Sequence, residues 1–462
     1  MSNVMLIDPF CKNPKYESPN LKLGYCCSVL QQKGHQSTVF DFLIKDIEKI
    51  DNENKFDEIK SKFLDEIENS VIGNYQYVYI NCEYGLLSTC IEIAMRLKGK
   101  CILIIGGTFI NYLYEGNRMQ SLLELDIFNY ISLGDAENDI IHIVNRIDTF
   151  IIKKIGNTAF YKSSLIHDLD SIPFPLWSKF DLNKYDGKLY LIASKGCKYN
   201  KCTFCDEKLI WGNKFRCRKA EKIVSEIRHN IEQYKANEYF FWDASITSYH
   251  NTKELCNMLI ELGINCSWTA LARAEEITED SAHLLKESGC HTIEIGIETL
   301  TDKTLKSMNK GVTVDTIKRA VKILKNAGIK VEGSFLIGYI GDSEYNIMHT
   351  INEAKKLQLD SYRWHNLSIP SDYLKKNSHI LNKGWHSLDL NYPNQFLHKK
   401  IIDNPSGYFD MHIVSKMNQS IPEKYPDIVL GNLSIKKIHD LTRLAIKETV
   451  DISTTEGHNP YI

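Results

Sequence analysis

The sequence predicts an α/β protein with two successive βα series: a doubly wound parallel sheet, followed by a partial barrel of six strands. Three observations lead to this prediction. Short apolar runs alternate with amphipathic stretches of helical period along both series. Glycines follow several of the apolar runs, where parallel strands would end. The length of 462 residues exceeds what one ordinary core organises and suits two domains with an appendage.

The first series covers residues 1–150. Apolar runs predict its buried strands at residues 4–7, 39–42, 77–80, 101–106 and 127–133. Amphipathic stretches between them predict helices at residues 21–34, 56–70 and 86–97. Because strands alternate with helices, we expect a Rossmann-like sheet whose ligand-binding loops lie at the carboxyl ends of its strands.

Residues 151–187 are interpreted as a linker, because they contain Pro173 and Pro175 and show little periodicity. Residues 188–370 then predict a partial (βα)6 TIM barrel, whose chemistry is expected at the strand carboxyl ends. Its strands are predicted at residues 189–193, 238–242, 265–270, 292–297, 331–337 and 362–367. Its helices are predicted at residues 219–234, 253–262, 279–288, 314–327 and 342–357. Residues 371–462 are expected to form a small C-terminal region that caps the open side of the barrel.

Composition narrows the class of protein. The formal net charge of -2 gives no broad electrostatic footprint for nucleic acid. No apolar run approaches the roughly 20 residues that span a bilayer, and residues 1–10 lack the pattern of a secretory signal. We therefore expect a cytoplasmic protein without nucleic-acid or membrane partners. Its 13 cysteines are then expected to be free thiols or metal ligands.

One tight group of cysteines directly follows the first strand of the second series. Cys197, Cys202 and Cys205 lie within Ser-Lys-Gly-Cys-Lys-Tyr-Asn-Lys-Cys-Thr-Phe-Cys. Three thiolates on one short loop can bind three corners of a [4Fe–4S] cubane and leave the fourth iron open to a chelating ligand. The alternative is a zinc site with a further ligand, for which the candidates are Asp206, Cys217 and His250.

This motif resembles that of the radical S-adenosylmethionine (SAM) superfamily, and the resemblance covers residues 190–366. It implies that SAM binds the open iron and is cleaved reductively to methionine and a 5′-deoxyadenosyl radical. Phe204 matches the aromatic residue that usually precedes the last cysteine. The usual spacing is Cys-x3-Cys-x2-Cys, whereas four residues separate Cys197 from Cys202 here. We interpret the extra residue as a loop insertion.

Further strand ends resemble the family's SAM-binding segments. Asp243 and Ser245 lie where the family receives the methionine amino group, and a helix N-cap is the alternative for each. Thr269 and Arg273 resemble the polar contacts to ribose and carboxylate, although Arg273 could instead form a surface salt bridge.

The next two strands continue the resemblance. Residues 289–298 are similar to the motif that supports adenine and ribose, and Glu298 is preferred over Glu294 because it stands at the strand end. Residues 305–311 form another recurring family string. Ile337 and Gly338 resemble the segment that lies against the adenine.

The first 145 residues resemble the domain that precedes the barrel in cobalamin-binding radical SAM enzymes. Those enzymes share an entry to the first helix and two glycine-containing strings after strands. The positions that match here are Gly24, Gly106, Gly107, Thr108, Gly134 and Glu137. No Asp-x-His-x-x-Gly string is present, so the resemblance implies cobalamin without that histidine ligand. The alternatives are glycines that serve only as turns, and a domain of this type that no longer binds cofactor.

The resemblance therefore predicts a radical SAM enzyme, most readily one for cobalamin-dependent methyl transfer to an unactivated centre. Its implied partners are a small-molecule or peptide substrate and an electron donor such as flavodoxin or ferredoxin. The alternatives are a cobalamin-independent dehydratase, cyclase or epimerase, and a non-catalytic iron–sulfur or zinc sensor. Epimerisation ranks lower, because it usually needs a thiol hydrogen donor and no cysteine follows Cys290.

Overall fold

The structure is a computed structural model that describes residues 1–11, 18–43, 53–83, 86–115, 119–185, 187–205, 207, 211–212, 214–339, 341–366, 429–430 and 433–450. The chain divides into two compact units, with the boundary between Gly187 and Lys188. Predictions for residues 371–428 and for Asp206 lie outside the described residues.

The first unit contains a seven-stranded sheet in the order β2-β1-β3-β4-β5-β7-β6. Its strands are β1 (Asn3–Cys11), β2 (Gln36–Leu43), β3 (Tyr77–Asn81), β4 (Ile102–Gly106), β5 (Tyr130–Ser132), β6 (Ile151–Ile155) and β7 (Thr158–Tyr161). Its helices are α1 (Leu21–Gln32), α2 (Glu53–Val71), α3 (Leu87–Leu97), α4 (Thr108–Glu115), α5 (Gln120–Glu124) and α6 (Ala136–Val144). All strand pairs are parallel except β6 with β7, which confirms the doubly wound α/β fold.

The strand order defines a topological switch point in this sheet. β1 pairs with β2 on one side and with β3 on the other, so the switch point lies between β1 and β3. Ligands of open α/β sheets bind at such a point, beyond the strand carboxyl ends. Asp8 of β1 and Asn81 of β3 lie there, with the amide of Asn81 donating to the Asp8 carboxylate over 3.3 Å.

The prediction that a linker begins at residue 151 is wrong for its first part. Residues 151–161 form a hairpin that extends the sheet beyond β5. Gly156 makes the turn, with a φ of +57°. Exposed Lys153 and Lys154 on β6 obscure any apolar pattern, and charged residues are typical of an edge strand.

The second unit contains six parallel strands in the order β15-β14-β13-β12-β11-β8, which confirms the predicted partial barrel. They are β8 (Lys188–Leu191), β11 (Glu238–Phe241), β12 (Ser267–Ala272), β13 (Cys290–Glu298), β14 (Lys330–Ile337) and β15 (Ser361–Asn366). Two short pairs accompany them, β9 (Ser194–Lys195) with β10 (Arg216–Cys217) and β16 (Val429–Leu430) with β17 (Leu433–Ser434). The helices are α7 (Ala220–Tyr234), α8 (Thr252–Glu261), α9 (Glu279–Glu287), α10 (Asp302–Ser307), α11 (Val314–Asn326), α12 (Glu344–Leu357) and α13 (Ile435–Val450).

Large aromatic side chains identify the outer face of this sheet. Tyr239 donates to carbonyls of Ile227 and Ala236 in and after α7. Trp268 donates to Ser288 after α9, and Phe335 stacks on Trp364 at 4.2 Å. Because successive side chains of a strand alternate, the residues between these positions line the inner face, which we call the lumen.

The C-terminal helix occupies an unexpected position. Trp364 of β15 donates to Thr449 of α13 over 3.0 Å, and Ile438 of α13 lies against Gly338. Both contacts are on the outer face, so α13 serves as the sixth helix of the barrel. The expectation that the whole C-terminal region caps the open side is therefore wrong for α13. Among the described residues, no helix is long and apolar enough to cross a membrane.

Candidate active site

The cysteine loop lies at the carboxyl end of β8, as the barrel prediction requires. Cys197 and Cys202 are half-buried and Cys205 is exposed. Gly196 has a φ of +92°, and a β-carbon there would stand 2.8 Å from the Lys214 carbonyl. Only glycine therefore fits before Cys197 without moving the backbone.

The extra residue between Cys197 and Cys202 is absorbed by one left-handed residue. Asn200 has a φ of +44°, and its N–H donates to the Cys197 sulfur over 3.4 Å. Asparagine tolerates this conformation better than most residues. The same stretch places the Tyr199 ring against the Arg273 guanidinium, 4.0 Å from its carbon. The longer spacing is thus accommodated as an ordered turn.

The recurring string at residues 305–311 supports the cysteine loop directly. Thr203 N–H donates to the Met308 carbonyl over 3.0 Å, and the Tyr199 hydroxyl donates to the Asn309 carbonyl over 2.8 Å. The Asn309 amide donates back to the Lys201 carbonyl over 3.0 Å. A β-carbon on Gly311 would stand 2.5 Å from the Tyr199 hydroxyl oxygen. These contacts give the string a role in holding the loop.

Two buried cations lie beside Cys202. Arg273 Nη1 is 3.9 Å from its sulfur, and Lys310 Nζ is 5.6 Å from the centre of the Phe204 ring. Burial raises the pKa of the Cys202 thiol, while the charges of Lys310 and Arg273 lower it. Positive charge at this position favours a thiolate, which is the form that binds iron.

The three thiols of the loop are electrostatic neighbours. Desolvation raises the pKa of Cys205 to about 12, although its residue surface is exposed, and the charges of Glu207, Cys202 and Cys197 raise it further. Among the described residues, no group of three His, Cys, Asp or Glu side chains is arranged to hold a single metal ion. A [4Fe–4S] cubane binds each thiolate at a different iron.

Asp243 anchors the start of the cysteine loop. Its carboxylate accepts from the Ala193 N–H over 2.9 Å and from the Ser194 hydroxyl over 2.5 Å. Burial raises its pKa to about 6, against the lowering effects of these bonds and of the Arg218 charge. A carboxylate oxygen can accept more than one hydrogen bond, so these bonds leave room for the methionine ammonium. The contact between Asp243 and that ammonium stays a prediction.

Ser245 belongs to a hydroxyl cluster around a glutamate that the sequence did not reveal. Glu276 accepts from Ser245 over 2.9 Å, from Thr247 over 2.7 Å and from Ser248 over 2.5 Å. The Ser245 side chain makes no capping bond to the helical turn that follows. Glu276 follows β12 by four residues, so only the strand-end rule could have drawn attention to it.

Thr269 and Arg273 contact different groups. The Thr269 hydroxyl lies 3.2 Å from His291 Nε2, at the third residue of β12 and below the strand end. Arg273 donates from Nε to Glu275 over 2.6 Å and from Nη2 to the Lys310 carbonyl over 2.6 Å. The guanidinium is therefore buried in the loop support and is not part of a surface salt bridge.

Glu298 ends β13 in a left-handed conformation, with a φ of +64°. It accepts from the Lys310 ammonium over 2.7 Å. A non-glycine residue in this conformation is strained and is often found at functional sites. Ile337 is buried and shares the strand face of Phe335, so its side chain points to the outer helices. Gly338 has a φ of +90° and faces Ile438.

In the first unit, the glycines predicted to contact cobalamin face protein atoms. A β-carbon on Gly106 would stand 2.4 Å from the Tyr79 hydroxyl oxygen, and one on Gly107 would stand 2.3 Å from the Cys82 carbonyl. A β-carbon on Gly24 would meet Pro175 at 3.0 Å, and one on Gly134 would meet Asp139 at 2.6 Å. Internal packing therefore explains these glycines without a ligand.

The loop at Gly134 is organised by Asp139, which the sequence reading did not identify. Its carboxylate accepts from the Gly134 N–H over 2.8 Å, from the Ser132 hydroxyl over 2.7 Å and from the Ser163 N–H over 2.8 Å. Glu137 lies buried in the first turn of α6, and Thr108 lies buried at the start of α4.

Polar side chains gather at the switch point of the first sheet. The Asn20 amide donates to the Asp8 carboxylate at 3.2 and 3.3 Å, and Lys22 pairs with Glu83 at 2.9 Å. Burial, together with the charge of Asp41, raises the pKa of Asp8 to about 7. The carbonyl oxygen of the Asn81 side-chain amide has no hydrogen-bond partner among the described residues.

Comparison with known protein families identifies the second unit. The model of the radical SAM superfamily matches residues 191–354, which span the barrel from the cysteine loop to α12. The second unit therefore carries a radical SAM domain. The chain is an enzyme, and the cofactors of this family, SAM and a [4Fe–4S] cluster, agree with the three-thiol loop. This finding excludes the non-catalytic zinc alternative.

Relatives of this radical SAM enzyme extend the similarity to both units. An uncharacterized methyltransferase of Pyrococcus horikoshii is 25% identical over 79% of this chain and 81% of its own length. The cytidylyl-2-hydroxyethylphosphonate methyltransferase of Streptomyces wedmorensis is 24% identical over 72% of each chain.

Two solved structures share the fold. The radical SAM methyltransferase TsrM of Kitasatospora setae, with cobalamin and a [4Fe–4S] cluster bound, has a TM-score of 0.62 and 17% identity over 79% of this chain and 72% of its own. The cobalamin-dependent radical SAM enzyme OxsB, with aqua-cobalamin bound, has a TM-score of 0.60 and 16% identity over 76% of this chain and 52% of its own. These similarities show that the chain shares the fold of both proteins.

Proposed function

We propose that this radical SAM enzyme is a cobalamin-dependent methyltransferase acting on an unactivated centre of a small molecule or peptide. The observation that carries the proposal is the presence, in one chain, of the supported three-thiol loop and a doubly wound unit with a polar switch point. Two relatives named as methyltransferases, similar over at least 72% of this chain, support the reaction type.

In this proposal Cys197, Cys202 and Cys205 hold the cluster, which when bound supplies the electron that cleaves SAM. An external donor such as flavodoxin or ferredoxin provides that electron. Asp243 holds the start of the loop through the Ala193 N–H, and Asn200 holds Cys197 through its own N–H. Arg273 and Lys310 keep positive charge beside Cys202, which favours its thiolate. The strained Glu298 is held by Lys310 at the strand end, where it would contact the ribose of SAM.

Cobalamin, which would carry the methyl group, is assigned to the carboxyl edge of the first sheet. The polar groups there suit a polar cofactor: the unpartnered carbonyl oxygen of Asn81, an acceptor, and the Lys22 ammonium, a donor, lie at the switch point. Gly24, Gly106, Gly107 and Gly134 shape this edge by close packing, with Thr108 and Glu137 beside them. The sequence offers no Asp-x-His-x-x-Gly ligand, so the cobalt would lack that imidazole.

The test is anaerobic reconstitution of the full chain followed by two assays. We expect hydroxocobalamin to remain bound after desalting. We expect methyl-labelled SAM to label the cobalamin once its cobalt has been reduced to cobalt(I) by the low-potential electron donor. We also expect reductive cleavage of SAM to 5′-deoxyadenosine. If cleavage occurred without any cobalamin uptake, methyl transfer would be wrong and the radical assignment would stand.

A second candidate reaction is radical cyclisation without cobalamin. The anaerobic magnesium-protoporphyrin IX monomethyl ester cyclase of Rubrivivax gelatinosus is 24% identical over 59% of this chain and 52% of its own length. Internal packing alone explains the strand-end glycines, which is compatible with a first unit that binds no cofactor. Retention of cobalamin with methyl labelling would exclude this candidate.

A further inference from the structure

The lumen of the second unit has one aromatic wall. Tyr190 of β8, Phe240 of β11 and Trp242, which follows β11, lie within ring-centroid distances of 4.9 to 5.8 Å of one another. They alternate with outward-facing Tyr239 and Phe241, so they share the lumen face. Trp242 is 44% exposed. A large ring kept exposed against two supporting rings is an open stacking surface.

A carboxyl group without a hydrogen bond stands in the opposite part of the lumen. Glu294 of β13 is only 8% exposed, and its one ion pair among the described residues is with Arg363, at 3.8 Å. That guanidinium is already committed to Glu332 through bonds of 2.8 and 3.1 Å. Two carboxylates therefore share one cation, and Glu294 is the less satisfied of the two.

Strand register places the two features in one layer. Phe241 is in register with Ala270, so the next residue, Trp242, lies level with Leu271. The backbone N–H of Trp242 donates to the Leu191 carbonyl over 2.8 Å, which continues the pairing of the strands. Leu271 is in register with Glu294. Trp242 and Glu294 are thus two strands apart, or about 10 Å between backbones, with half-buried Leu271 between them.

We propose that this layer is a substrate subsite for an amine that carries a planar apolar group. The ring stacks on Trp242 above Leu271, and the ammonium pairs with Glu294. An incoming cation balances the second carboxylate of the Glu294–Glu332–Arg363 group, which a neutral or anionic substrate would leave uncompensated. The side chains of Trp242 and Glu294 both extend into the lumen, so the distance between them is shorter than that between their backbones. A substrate with two or three bonds between its ring and its nitrogen can therefore reach both. The inference names the substrate class of the proposed methyltransferase and rests on that function.

Binding by the reconstituted full-length enzyme tests the subsite without relying on turnover. The probes are tryptamine, its alcohol counterpart indole-3-ethanol, and indole-3-propionate, each titrated by isothermal calorimetry. We expect tryptamine to bind at least about tenfold more tightly than the alcohol, because a charge-assisted bond is available only to the amine. The propionate is expected to bind more weakly than either.

Two variants and two matched controls complete the test. Glu294→Gln should reduce the preference for tryptamine over the alcohol to about onefold, while Trp242→Ala should weaken both probes about equally. Glu353→Gln and Tyr345→Ala alter a carboxylate and an exposed ring on α12, outside the lumen, and should change neither. The inference is wrong if the wild type does not prefer the amine, or if Glu294→Gln keeps that preference.

Cleavage of SAM and uptake of cobalamin, measured on the same preparations, separate the two levels of proposal. Absence of the amine preference in the wild type, with intact cleavage and uptake, would overturn the subsite alone. Absence of uptake or cleavage in the wild type would overturn the proposed function, whatever the probes do.

Discussion

At the scale of single residues, the cysteine loop depends on side chains that the motif does not contain. Asp243, Arg273 and Tyr199 fix it through bonds to its backbone, a contact with Cys202 and a stacked ring. Family resemblance and a place at strand ends identified Asp243 and Arg273 in the sequence, and their contact with SAM stays a prediction. Their bonds to the cysteine loop could not be predicted, because they depend on distances that only the folded loop provides.

Replacing any one of Cys197, Cys202 and Cys205 with alanine should abolish cluster binding and reductive cleavage of SAM. A cubane with one open iron needs three thiolate ligands from the protein. Iron and sulfide analysis after anaerobic reconstitution measures the first effect, and 5′-deoxyadenosine the second. Cys217→Ala is the matched control and should retain both. A variant of the three with full iron and cleavage would remove that cysteine from the site.

Asp8→Asn should stabilise the first unit at alkaline pH. Burial raises the pKa of Asp8 from 3.8 to about 7 in the folded state. Below pH 4 the carboxyl group is protonated in both the folded and the unfolded state and does not lower the free energy of unfolding. As pH rises to 7 and above, its ionisation favours the unfolded state and lowers the free energy of unfolding. The amide stays neutral, so the variant should gain up to about 4 kcal/mol at pH 8, and little at pH 4. Urea unfolding across this range measures the difference, and a gain independent of pH would contradict the cause.

At the scale of elements, periodicity predicted most of the long helices and buried strands to within a few residues. α7, α9, α11 and the strands β11 and β14 all begin and end close to their predicted bounds. Periodicity missed the hairpin of residues 151–161, the short helices α4, α5, α6 and α10, and the long C-terminal helix α13. Apart from α13, these elements are too short, or too charged on an exposed edge, to show a period. Their positions are set by contacts distant in sequence, such as Asp139 with Ser163.

The turn after β4 depends on a glycine for space as well as for conformation. Gly107 has a φ of +119°, and a β-carbon there would collide with the Cys82 carbonyl at 2.3 Å. Gly73 has a φ of +76° with nothing within 4 Å of such a carbon. We expect Gly73→Ala to cost about 1–2 kcal/mol of unfolding free energy from strain alone, and Gly107→Ala clearly more. Equal costs in urea unfolding would mean that the collision relaxes freely.

At the scale of the whole molecule, each cofactor is assigned to residues of a single unit. The three thiols and their supports, Asp243, Arg273 and Lys310, follow Lys188, whereas the polar switch point with Asp8 and Asn81 precedes Gly187. Composition and alternation were enough to predict two βα units. The division of cofactors between them came from motif resemblance, since periodicity carries no information about ligands.

This division predicts that the two cofactors can be lost separately. The full-length triple variant of Cys197, Cys202 and Cys205 to alanine should bind no cluster and cleave no SAM, yet take up hydroxocobalamin with an affinity within about twofold of wild type. Conversely, Asn81→Leu removes the side-chain amide whose oxygen is unpartnered at the switch point. It should weaken cobalamin binding while leaving iron content and reductive SAM cleavage unchanged. Spectroscopic titration after desalting measures cobalamin, and 5′-deoxyadenosine measures cleavage. If losing the cluster also abolished cobalamin uptake in a folded protein, the assignment of cobalamin to the first unit alone would be wrong.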